Sequence, residues 1–208
     1  MAVTLGKEEK RLLEIDNGLR QFDYALEAIN YFIDPERPFA LRPTLIRELQ
    51  SIAVLGIEER PGEWRSGPIQ ITKSEHVPPG HHLVNILVTE LCDYINNHWH
   101  EASPFNLSSY AMWRLNWIHP FDDGNGRTSR VLAYVILSIK LGYVLPGSPT
   151  IPQQIESDRA HYFEGLEAAD AAFKADETID LSVLETALKG MLAAQLLSVI
   201  EAADGNGA

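Results

Sequence analysis

His119-Pro120-Phe121-Asp122-Asp123-Gly124-Asn125-Gly126-Arg127-Thr128-Ser129-Arg130 is the stretch that decides how this chain is read. It is followed by an apolar run of helical length, Val131 to Leu141. A polar, glycine-rich loop therefore opens a buried helix. The first amides of a helix have no intrahelical carbonyl and sit at the positive end of the macrodipole, so they bind anions. Gly124 and Gly126 permit positive φ and a close backbone approach to a phosphate. Arg127 and Arg130 stand three residues apart, which places both on the same side of the first turns. Asp123 is a hard oxygen ligand of the kind Mg²⁺ prefers. His119 titrates near neutrality and is suited to take a proton from a hydroxyl. These parts describe a site for a Mg²⁺-bound nucleotide with a base beside it.

Outward from this stretch, composition narrows the alternatives. The chain has 208 residues and a net charge of −12. That length suits one domain, or one domain with a small helical extension. The negative charge argues against general binding to nucleic acid or an anionic membrane, which need a basic surface. A local basic pocket at Arg127 and Arg130 is compatible with an acidic whole. The single cysteine, Cys92, excludes an internal disulfide and is read as a buried, inert thiol in a reducing, cytoplasmic setting. The N-terminus shows no basic-then-apolar leader, and no stretch is read as long and apolar enough to span a membrane.

The rest of the chain is predominantly helical in pattern. Leu12, Ile15, Leu19, Phe22, Leu26, Ile29 and Ile33 recur at alternating spacings of three and four, which predicts one long helix over 7–33 with this stripe facing the core. Asp34 to Pro38 ends it. A second helix is expected from Pro43, with Leu45, Ile46, Leu49 and Ile52 inward. Residues 60–80 differ: Pro61-Gly62, Gly67-Pro68 and Pro78-Pro79-Gly80 punctuate a segment whose Trp64, Ile69 and Ile71 suggest two short strands of a hairpin. Helices are expected at 82–98, 105–118, 153–173 and 180–201, with Gly142 closing the helix after the loop. The tail from Asp204 is expected to be disordered. His81, His82, His98 and His100 lack the ligand spacing of zinc sites and are read as surface or packed histidines.

The central stretch resembles the signature of the Fic (Fic/Doc) family, His-x-Phe-x-(Asp/Glu)-Gly-Asn-Gly-Arg-x-x-Arg, at every specified position. The resemblance covers about residues 45–175, leaving 1–44 as an N-terminal helical extension and 176–208 as a C-terminal helix and tail. It implies the Fic fold: all-α, a helical bundle with one short β-hairpin, the flap. In the family that hairpin holds the target segment by backbone pairing, and Trp64, Arg65, Ile69 and Ile71 stand in its place. The resemblance also places Tyr162, Phe163 and Asp170 near the adenine or ribose.

The family typically transfers AMP from ATP to a hydroxyl of a protein target. The resemblance implies that His119 is the general base and that Phe121 anchors the loop. Asp123 would hold Mg²⁺ between phosphates, while Asp122 would face solvent. Asn125, with the amides of Gly124 and Gly126, would hold the α-phosphate, and Arg127 and Arg130 the outer phosphates. Gly126 separates the chain from members with Lys at that position, which transfer the γ-phosphate. Other members transfer other phosphate-containing groups, and a non-catalytic nucleotide-binding module is the alternative from another class. The family's inhibitory motif, (Ser/Thr)-x-x-x-Glu-(Gly/Asn), pairs its glutamate with the second arginine, here Arg130. No match occurs: Thr4 to Glu8 is followed by Glu9, and Glu164-Gly165 has Ala160 at the required position. The expected partners are a protein substrate with a hydroxyl side chain and, for regulation, a separate antitoxin-like chain or a homo-oligomer.

Overall fold

The computed structural model describes residues 6–71 and 74–205. Eight α-helices occur among them: α1 Lys7–Phe32, α2 Pro43–Ala53, α3 Val84–Asn97, α4 Pro104–Ile118, α5 Asn125–Leu141, α6 Ile151–Ser157, α7 Ala160–Asp176 and α8 Ser182–Ala203. A single 3₁₀ turn, His81–Leu83, leads into α3. The centre is α5, whose side chains from Thr128 to Ile139 are all buried. It packs on α4 most extensively, and also on α1, α2 and α6. A helix apolar all round is one surrounded by others, and the run after Arg130 has that property.

Local chemistry sets the boundaries. Pro43 and Pro104 stand at the first position of α2 and α4, where the missing N–H costs nothing. The Ser103 hydroxyl accepts the Asn106 amide at 3.0 Å and caps α4. Gly142 ends α5 at φ 84°, and the Tyr143 and Gly142 amides return to Ser138 and Ile139 carbonyls.

Four expectations are corrected. The stripe expected on α1 does not face the core throughout: Leu12, Ile15 and Leu19 are exposed. The buried positions are Asn17, Gln21, Ala25 and Ile29. Two amides decide this. Asn17 Nδ2 donates to the Leu55 carbonyl at 2.8 Å and Gln21 Nε2 to the Leu49 carbonyl at 2.9 Å, so α1 is turned to satisfy carbonyls at the end of α2.

The expected hairpin is also absent: among the described residues none of 60–80 is in a strand. The expected tip, residues 72 and 73, lies outside the described residues. Pro61, Pro68, Pro78 and Pro79 remove ladder donors, and the Arg65 guanidinium bonds the Gly67 and Pro79 carbonyls, joining the segment through a side chain instead.

The helix expected over 153–173 is two helices. Asp158, at φ −139° and ψ 110°, breaks it, and its carboxylate receives the Ala160 amide at 3.0 Å to start α7.

Finally, α8 is by length and composition apolar enough to cross a membrane, with 22 residues and a mean hydropathy of 1.5. In the fold it buries Leu184, Leu188, Leu192 and Gln195 and packs on α4, α6 and α7. Asp204 and Gly205 form a turn; the remaining tail, 206–208, lies outside the described residues. Cys92 is buried, and that burial pushes its thiol up to about 12.

Candidate active site

The loop between α4 and α5 is fixed from within. Asn125 is buried, and its side chain exchanges two bonds with the Phe121 backbone: Nδ2 donates to the carbonyl at 2.9 Å and Oδ1 accepts the amide at 3.0 Å. This side chain is therefore occupied in shaping the loop. Phe121 is fully buried and packs on Trp64, their ring centroids 4.8 Å apart. Gly124 adopts φ 82°, and a Cβ there would lie 2.8 Å from the Val54 side chain. Both the dihedral and the space require glycine. The first intrahelical bond of α5 is Thr128 N–H to the Gly124 carbonyl at 2.9 Å. The amides of Asn125, Gly126 and Arg127 thus precede the hydrogen-bonded ladder and form the anion-binding end of the helix. A Cβ at Gly126 would stand 3.4 Å from Arg130 Nη1, so this glycine keeps open the space beside that guanidinium.

His119 ends α4 in the left-handed conformation, φ 50° and ψ 59°. It precedes Pro120, whose ring disfavours helical geometry in the residue before it. Its Nδ1 lies 3.3 Å from the Asn116 carbonyl. With the proton on Nδ1, Nε2 is the lone-pair nitrogen, and it makes no hydrogen bond to the described residues. Burial pushes the imidazole down to about 4. The Asn116 carbonyl opposes that shift, while the nearby charges of Arg65 and His76 add to it. The ring is neutral at pH 7 and able to accept a proton.

The two arginines turn to different partners rather than converging. Arg127 bonds the Ala53 carbonyl at 3.0 Å and the Asp123 carboxylate at 3.1 Å, with Glu14 at 3.8 Å, all on the α1–α2 side. Arg130, almost fully buried, meets Glu156 of α6 at 2.5 Å; Glu156 also holds Arg159. Burial lowers the Arg130 guanidinium below its usual value, and Tyr162 and Glu156 counter that. So a carboxylate does engage Arg130, from an element without the family's inhibitory pattern. Asp123 accepts the Gly124 amide at 2.6 Å through its second oxygen. Asp122 pairs with Arg60 at 2.8 Å.

Asp123 remains partly exposed at the rim of a cavity of about 280 Å³, beside Glu58 and Asp122. A partly exposed carboxylate suits Mg²⁺, which is held by one or two carboxylates and otherwise by water and substrate phosphates.

The residues expected around the nucleoside are differently employed. The Tyr162 side chain is buried, and its hydroxyl accepts Asn116 Nδ2 at 2.9 Å; Asn116 also donates to Ser129 Oγ at 2.7 Å. Tyr162 therefore braces the residue whose carbonyl fixes His119. Phe163 is half exposed. Asp170 accepts Trp113 Nε1 at 2.8 Å and faces His76 Nδ1 at 3.9 Å, and burial raises its carboxyl above the usual range. Of the expected flap residues, Arg65 is buried among carbonyls and Trp64 packs on Phe121, while Ile69 and Ile71 are half-buried.

Sequence reasoning missed Gln50, Asn116 and Glu156. Gln50 is buried, accepting the Gly62 amide at 2.6 Å and donating to the Asp123 carbonyl at 2.9 Å. An amide within the inward stripe of α2, and another three residues before His119, were the available signals. Nothing local marked Glu156.

Comparisons with known proteins bear on the family and the fold. Residues 40–137 match the model of the Fic/DOC family. Two curated relatives, each named protein adenylyltransferase Fic, are 33% identical (Drosophila willistoni) and 34% identical (Drosophila persimilis) over 133 residues. Each match covers 60% of this chain, and the chain spans only about a quarter of either relative (26% and 25%). Among solved structures, a Fic-domain signaling protein from Bacteroides thetaiotaomicron superposes with TM-score 0.71 at 26% identity, covering 91% of this chain and 73% of that one. Fic-1 from C. elegans superposes with TM-score 0.70 at 20% identity, covering 98% and 60%, which speaks for the fold alone. The helical bundle, the complete central motif and these matches together identify the chain as a carrier of a Fic/DOC-family domain.

Proposed function

We propose that the chain is a protein adenylyltransferase, transferring AMP from ATP to a Ser, Thr or Tyr hydroxyl of a target protein. The observation that carries this reading is His119. A neutral imidazole, its Nδ1 on the Asn116 carbonyl and its Nε2 uncommitted, ends α4 six residues before the free amides of α5 begin. A binding module needs the amides but has no use for a base.

In the reaction, the target oxygen attacks the α-phosphorus as His119 Nε2 takes its proton. The new O–P bond forms and the bond to the bridging oxygen breaks, so pyrophosphate leaves. The amides of Asn125, Gly126 and Arg127 stabilise the charge on the phosphoryl oxygens. Arg130 is the better placed guanidinium for outer phosphates, once Glu156 yields it; Arg127 chiefly anchors the loop through Ala53 and Asp123. Mg²⁺ bound at Asp123 would neutralise charge on the departing pyrophosphate. Asn125 acts through Phe121, by holding the loop. Since Trp64 and Arg65 are committed internally, Ile69 and Ile71 are the flap residues left to meet a target.

The names of the Drosophila relatives support adenylyl transfer, as does Gly126, which leaves room beside Arg130. The test is incubation with cell lysate and ATP labelled on the α- or the γ-phosphate. Protein labelled from α alone supports the proposal. Label from γ alone would make the chain a phosphotransferase, and none from either, with ATP still bound, would make it a binding module.

A further inference from the structure

Arg65 is not used by the chemistry above, yet it is among the most deeply buried charges in the fold, 3% exposed. Its Nε donates to the His119 carbonyl at 2.8 Å and its Nη1 to the Gly67 carbonyl at 2.9 Å. Its Nη2 reaches the Pro79 carbonyl at 2.5 Å and the Ile118 carbonyl at 3.4 Å. Its own amide donates to the Pro120 carbonyl at 2.8 Å. One residue thereby bonds Ile118, His119 and Pro120 in succession. These bonds fall where the backbone is least favourable, a non-glycine residue at positive φ in front of proline. A strained conformation of this kind persists only where its surroundings enforce it.

We propose that Arg65 is a positioning residue for His119: its guanidinium clamps the His119 carbonyl in the left-handed turn and ties it to both ends of the 67–79 segment, setting where the imidazole stands. A planar fork reaches four carbonyls at once, which an ammonium cannot. The charged groups facing His119 are Arg65, His76 and Asp123, and Arg65 is the one that also holds its backbone. This bears on the adenylyltransferase reading only through the activity arm of its test.

The protein carries seven histidines. Their ¹³Cε1 resonances are followed against pH in the wild type, Arg65→Met and Arg65→Lys, with His119→Ala assigning the His119 signal. In wild type the His119 midpoint is expected well below the ordinary 6.5, at about 4. In Arg65→Met its midpoint should rise by roughly one unit or more, and in Arg65→Lys by less, because the charge returns without the fork. Binding of a fluorescent ATP analogue should change by less than about threefold in either variant, while α-label transfer in Arg65→Met falls by about 30-fold or more. A His119 titration unmoved in Arg65→Met overturns the proposal. If that variant does not fold, the lysine variant decides by the same criterion, and unfolding of both would make Arg65 merely structural. Absence of α-label transfer by wild type would sink the adenylyltransferase reading and leave the titration to judge Arg65.

Discussion

The behaviour of His119 with pH follows from where it is buried. Its folded-state value, about 4, is below the ordinary 6.5. The unfolded chain therefore binds the proton more readily, and stability from this residue is fully present above pH 6.5. It is lost as pH falls through the interval down to 4, by about 3 kcal/mol at full extent. A His119→Gln variant should lose less stability than wild type between pH 7 and 4.5, measured by urea midpoints; an equal loss would show that the imidazole is not buried in solution. His119→Ala should abolish α-label transfer and leave ATP affinity within a few-fold, and joint loss of both would make the residue structural. The other decisive contact is Arg130 with Glu156. On the proposed function, an incoming phosphate must replace that carboxylate. The glutamate side chain is 54% exposed, so water screens the pair and its strength is modest, about 1 kcal/mol. Glu156→Gln should tighten ATP binding by about 3- to 10-fold by titration calorimetry. Weaker binding would mean that Glu156 holds Arg130 in place for the nucleotide.

At the scale of elements, periodicity disclosed the helices and side-chain amides decided their orientation. α2 begins at Pro43 and α5 ends at Gly142, as proline and glycine signalled, and α4 falls close to the expected 105–118, because such signals are local and each has one structural consequence. The rotation of α1 was illegible because Asn17 and Gln21 bury for the sake of carbonyls at the end of α2, and polar residues in an apolar stripe read as its edge. The segment 60–80 was misread for a related reason. Strand signals report side-chain alternation, whereas this segment is held by Arg65, Gln50 and Arg47, each bonding residues twelve or more positions away. The motif loop was legible because the residues that define it lie within twelve positions; Gln50, Arg65 and Glu156, which hold it from outside, were not assigned these places. Gln50 tests the account. It joins the Gly62 turn to the Asp123 carbonyl. Gln50→Leu keeps the volume and strands both groups, so it should destabilise by about 2–4 kcal/mol and weaken Mg²⁺-dependent ATP binding more than metal-free binding. Equal weakening of the two would place the effect elsewhere than Asp123.

Across the whole molecule, α8 meets the site only through the helices it packs on: α4, which ends at His119, α6, which carries Glu156, and α7, which carries Tyr162. α8 contacts α4, α6 and α7, while the motif loop is fixed by α1, α2 and the 60–80 segment. Gln195, fully buried on α8, supplies most of its polar contact with the α5–α6 connection. Its Nε2 donates to the Leu145 and Pro146 carbonyls at 3.1 and 3.2 Å, and its Oε1 accepts the Ile151 amide at 3.0 Å. The backbone at Gly147 lies so close to the Gln195 carbonyl that a side chain there would collide with it. This explains why the connection from α5 to α6 is ordered although it has no ladder of its own. It also separates stability from function. Gln195→Leu leaves the Ile151 amide and the Pro146 carbonyl without these partners and the Leu145 carbonyl with only the Tyr134 hydroxyl, a loss of about 3 kcal/mol, or roughly 6–12 °C in Tm for a chain of this size. The motif loop does not touch α8, so ATP affinity below the transition should stay within about twofold and the His119 titration should not move. The one exception runs through α6, which carries Glu156: loosening α6 would free Arg130 and shift affinity toward the value of Glu156→Gln. Calorimetric melting and ATP titration of Gln195→Leu, alone and combined with Glu156→Gln, separate the cases. Additive effects mean that α8 supports the fold without reaching the site. An affinity gain in Gln195→Leu that vanishes in the double variant would mean that the C-terminal helix controls the arginine through α6.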